Sequence, residues 1–132
     1  MTVQVNYTNK DKSSDLDVIA LFADEKFQIK NINDFFSKNE TSYFERILKN
    51  KRNTKESIIS FNINEKSTVI LISIKKNLKG SDVENLGALF YDFIKKNNIK
   101  SLSLNSESIK SKPGKDFIGR FMHGLKLKSY EF

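Results

Sequence analysis

Hydrophobic positions cluster in five short runs, and the segments between them carry helical spacing. The most apolar run is residues 67–74, Ser-Thr-Val-Ile-Leu-Ile-Ser-Ile. A strand with one wet face alternates apolar and polar residues, because successive side chains point to opposite sides. Here Val69, Ile70, Leu71 and Ile72 are consecutive and Ile74 follows. The run is β-branched-rich and far short of the roughly 20 apolar residues of a membrane span. It predicts a central strand buried on both faces.

The other runs extend this sheet. Val3, Val5 and Tyr7 alternate with polar residues, as on an edge strand. Residues 16–22, Leu-Asp-Val-Ile-Ala-Leu-Phe, read as a second buried strand ending in a turn at Asp24-Glu25-Lys26. Residues 57–63 place Ile59, Phe61 and Ile63 on one face and Ile58 on the other. Asn64-Glu65-Lys66 then turns them into the central strand as a hairpin. Residues 99–104 form the fifth strand.

Helices fill the gaps. Asn33 is an N-cap candidate for a short helix holding Phe35 and Phe36, and Thr41 for a second one with Phe44, Ile47 and Leu48 on one face. Residues 49–55 read as a basic loop. Ser81-Asp82-Val83-Glu84 has the form of a capping box, with Val83, Leu86, Leu89, Phe90, Phe93 and Ile94 as the apolar stripe and Asn97-Asn98 as the stop. Pro113 suits the first turn of a last helix carrying Phe117, Ile118, Phe121, Met122 and Leu125. Gly119 and Gly124 weaken that helix, or Gly124 ends it. The alternation predicts an α/β fold of three layers: a mixed, mostly parallel sheet with helices on both faces.

Composition narrows the chemistry. At 132 residues the chain reads as one domain with 11 Phe to fill its core. It has no Cys, which excludes disulfides, thiolate metal sites and Cys nucleophiles, and a reducing cytoplasm fits. The polar start, residues 1–10, has no apolar signal-peptide core. A net charge of +7 invites a nucleic-acid reading. Yet only three of the 23 basic residues are Arg, and base readout favours Arg, so the composition argues against specific nucleic-acid binding. His123 is the single His and sits one residue before Gly124 with no partner evident along the chain. That excludes a His-based zinc site and leaves a catalytic triad without support. Asp15, Asp17, Asp24 and Glu25 read as turn residues. Gly80 stands alone after the central strand, where a phosphate-binding loop would need several Gly.

At the tail, Gly124-Leu125-Lys126-Leu127-Lys128-Ser129-Tyr130-Glu131-Phe132 resembles the end of the N-terminal domain in the leucine (cytosol) aminopeptidase family. There a helix runs into a Gly-Leu-x-Leu-Gly-x-Tyr-x-Phe segment leading to the catalytic domain. The order of strands and helices from about Leu16 resembles that family too. Two departures stand out: Ser73-Ile74-Lys75 replaces a Gly-x-Gly after the central strand, and Lys128 stands where the family commonly has Gly. The resemblance implies a macro-domain-like sheet of about six strands. It implies a parent two-metal exopeptidase whose zinc or manganese ligands lie in a C-terminal catalytic domain absent from this chain. No catalytic, cofactor or metal residue carries over.

The expected role is that of a non-catalytic assembly and accessory domain in a cytoplasmic homo-hexamer, with Leu127, Tyr130 and Phe132 docking against the catalytic domain or a neighbouring copy and no membrane involved. The alternative is a stand-alone macro-like domain binding a nucleotide or ADP-ribose at the strand ends.

Overall fold

The structure is a computed structural model that describes residues 4–8, 18–29, 32–51, 56–75, 79–99, 101–105 and 117–130. Its elements follow in the order β1 (Gln4–Thr8), β2 (Val18–Ala23), α1 (Ile32–Phe35), α2 (Lys38–Lys51), β3 (Ile58–Asn62), β4 (Thr68–Ser73), α3 (Gly80–Lys96), β5 (Ser101–Asn105) and α4 (Phe117–Ser129). The class is α/β. The sheet order is β1-β5-β2-β4-β3, which puts β1 at an edge as its alternation predicts. β2 pairs in parallel with both β4 and β5, and β3 pairs antiparallel with β4. The sheet is therefore mixed, with a parallel centre. Its five strands are the five that the apolar runs predict; the sixth, expected from the family resemblance, has no counterpart among the described residues.

Two compact units divide the chain. One comprises residues 5–74 and 101–110, with the sheet, α1 and α2; the other comprises residues 1–4, 75–100 and 111–132, with α3 and α4.

In the first unit β4 is buried on both faces, since Val69, Ile70, Leu71 and Ile72 all have no exposed surface. Leu21, Ala23, Val69, Leu71, Ile59 and Ile63 meet Phe36, Phe44 and Leu48 of the α1–α2 segment in one apolar cluster. Phe44 is its centre, with its ring 5.4 Å from Phe36 and 5.5 Å, edge-on, from Phe61. The hairpin forms as predicted. Asn64 Oδ1 accepts from the N–H groups of Lys66 and Ser67 at 2.8 and 2.9 Å, closing the turn.

The helix starts differ from the expectations. α1 begins at Ile32, so Asn33 lies inside it. α2 begins at Lys38, and its cap is Ser37 rather than Thr41. Ser37 Oγ accepts from the Glu40 N–H at 3.2 Å, while Glu40 Oε1 accepts from the Ser37 N–H at 2.9 Å. This reciprocal pair satisfies two N–H groups that a helix leaves open, which Thr41 in the next turn cannot do. Glu40 Oε2 also accepts from Asn64 Nδ2 at 2.7 Å, tying the hairpin turn to the helix. α2 continues through Lys51, past the start of the expected loop.

In the second unit, α3 starts at Gly80 with Lys79 as N-cap, two residues earlier in its capping than the Ser81 box. Asp82 does the work expected of Glu84: its carboxylate accepts from the Lys79 N–H at 3.1 Å. The helix stops at Asn97-Asn98 as expected. Asn98 takes a left-handed φ of 57°, its N–H reaches Lys95 O at 3.2 Å, and the Ile99 N–H reaches Ile94 O at 2.9 Å. These two bonds are a Schellman closure.

α3 and α4 run side by side in the same direction. Arg120 packs over Gly80, Phe90 and Phe121 rings lie 5.5 Å apart, and Lys128 Nζ comes within 4.0 Å of Asp92. Their backbones nearly touch. A Cβ on Gly87 would collide with Phe121 O, and one on Gly124 with Glu84 O. The buried face of α3 therefore includes Gly87 and Tyr91, while the predicted stripe member Leu89 is 54% exposed. Gly124 does not end α4; it is the contact point that lets the helices close, and α4 runs on to Ser129. Pro113 lies outside the described residues.

Candidate functional site

In a sheet of this kind the C-terminal ends of the parallel strands are where ligands bind. Here those ends bring together Asp24 after β2, Ser73 at the end of β4, and Asn105 at the end of β5. Ser73 stands opposite Ala23, and Asn105 opposite Leu21. Ser73 is 7% exposed and Asn105 fully buried.

The bonding at this edge shows what the polar groups do. Ser73 Oγ donates to the Asp24 carbonyl at 3.1 Å. Asp24 Oδ1 accepts from the N–H groups of Lys26 and Gln28, both at 2.9 Å. The turn they hold places Phe27 at φ 60°, a left-handed conformation that few bulky residues adopt, and sinks its ring into the core at 2% exposure. Asp24 therefore serves the turn, as its place in the sequence predicts. Its side chain closes the turn, and the Ser73 hydroxyl, bonded to the Asp24 carbonyl, holds the end of β2 against that of β4. Asp15 and Asp17 lie outside the described residues.

On the second unit a different group of polar side chains meets. His123 Nδ1 lies 2.8 Å from Glu84 Oε1, and Arg120 comes within 3.9 Å of Glu84 Oε2. The His123 side chain is 58% exposed and that of Arg120 52%. The expectation that His123 has no partner is thus corrected. Its partner sits 39 residues earlier, on α3, where no local motif announces it. The arrangement is chemically an exposed ion-pair bridge between two helices, of the kind that contributes up to about 1 kcal/mol. Among the described residues, no group of three or more His, Asp or Glu is arranged to hold a metal ion.

The residues expected to dock are placed as follows. Leu127 in the last turn of α4 is 54% exposed, and Tyr130 just after it is 61% exposed. Phe132 lies outside the described residues. Residues 124–129 of the tail segment are helical, the last part of α4. Where a Gly would favour a stop, Lys128 continues the helix, and Lys126 and Lys128 both favour the negative end of its dipole. No helix among the described residues is long and apolar enough to cross a membrane.

Fold and surface together define a class, an α/β chain whose mixed sheet has a parallel centre and whose last helix ends in exposed apolar side chains. Comparison with protein-family models, with curated proteins and with solved structures found no match to this chain.

Proposed function

We propose that this chain is a non-catalytic assembly and accessory domain, of the kind that stands N-terminal to the catalytic domain in leucine aminopeptidases. The observation that carries the reading is the end of α4. Leu127 and Tyr130 are large apolar side chains left more than half exposed, at the place where the family resemblance puts the junction with a catalytic domain. Burying a Leu-sized side chain at an interface is worth about 2 kcal/mol, so this surface favours a partner. The order of strands and helices supports the same reading. On it, the chain is a three-layer, macro-domain-like module of a cytoplasmic hexamer. Zinc or manganese ions and the peptide bond to be cut belong to another domain, so the chain by itself neither binds a catalytic metal nor hydrolyses peptides. The test is an assay of the purified chain with a leucyl anilide in excess zinc or manganese, with metal analysis alongside. No turnover and no retained metal are expected. Turnover that survives repurification and is lost on chelation would overturn the reading.

A second reading draws on the strand ends. Asp24, Ser73 and Asn105 gather where α/β sheets take nucleotides, which favours a macro-like domain binding ADP-ribose or a mononucleotide. The bonds that occupy Asp24 and Ser73 place it second. Calorimetric titration with ADP-ribose separates the two: micromolar affinity would put this reading first.

A further inference from the structure

No further inference is drawn: the strongest candidate, the Glu84–His123–Arg120 cluster bridging α3 and α4, is a set of half-exposed side chains paired with one another, and the helix contact already described accounts for it.

Discussion

The two units of this molecule reach close packing by opposite means. Around α2, bulk does it: three Phe rings meet tilted and edge-on at a β-branched sheet, and Phe44 fills the centre at 1% exposure. Between α3 and α4, the absence of bulk does it. Gly87 and Gly124 bring backbone against backbone, and the surrounding Phe90 and Phe121 close the seam. A hydrophobicity pattern finds the first kind of contact directly. It passes over the second, because a glycine adds nothing to an apolar stripe.

The contrast breaks most decisively at Phe44. Phe44→Ala should lower unfolding free energy by about 4 kcal/mol, the usual cost of deleting a fully buried aromatic. Phe44→Leu should lose much less, because it leaves a smaller cavity. Denaturant unfolding of both variants checks this, and equal losses would show that volume is not what matters there. The helix seam should respond in the reverse sense, worsening as side chains grow. Gly124→Ala and Gly87→Ala should each cost about 3 kcal/mol through a clash with a carbonyl that cannot yield cheaply, and Gly124→Val more. Gly119 is the internal control. Nothing lies within 4 Å of the Cβ it would gain, so Gly119→Ala should stabilise by about 0.5–1 kcal/mol through helix propensity alone. A destabilised Gly119→Ala would mean that the seam extends further along α4 than drawn.

Helix starts give a smaller effect. Ser37→Ala should cost about 1 kcal/mol, since it removes the oxygen that receives the Glu40 N–H. Ser81→Ala, in the first turn of α3 and without that duty, should leave the melting temperature nearly unchanged. The reverse ranking would restore the Ser81 cap.

Smallest is an acid effect centred on Glu40. The Ser37 backbone N–H, then the Asn64 amide, hold its carboxyl below the ordinary value of 4.5, against a weaker opposing pull from burial. A carboxyl lowered in the folded state contributes stability above its unfolded pKa and loses it as pH falls through the folded value. The Glu40 contribution should therefore be full at neutral pH and fade below about pH 4.5. Chemical denaturation of wild type and Glu40→Gln should show curves that converge on acidification, and a constant gap would contradict the assignment.

Legibility in the sequence followed the range of the interaction. Every strand lies where the apolar runs put it, because burial on one face or on two declares itself in neighbouring residues, as alternation or as a continuous run. The Ser37 cap, which the Thr41 expectation missed, does have a local signal: Ser-Lys-Asn-Glu has the capping-box spacing. Ser81 failed for a physical reason: the helix starts at Gly80, with Asp82 accepting from the Lys79 N–H, so Ser81 lies inside it, and Glu84 pairs with His123. The glycine seam and the His123 bridge were not legible, since each depends on a residue more than 30 positions away. At the strand ends, the turn role of Asp24 was legible, while the role of Ser73 was not, since its bond to the Asp24 carbonyl spans 49 residues.

The proposed assembly surface is the end of α4, at Leu127 and Tyr130. Sedimentation velocity across a wide concentration range, on wild type and on the Leu127→Asp/Tyr130→Asp double variant, tests it most directly. Both residues are more than half exposed, so the variant should melt like wild type. Concentration-dependent association of the wild type that disappears in the variant is the expected result. Wild type that stays monomeric throughout would leave the catalytic domain as the surface's partner, and association that the variant leaves unchanged would overturn the assignment of this surface.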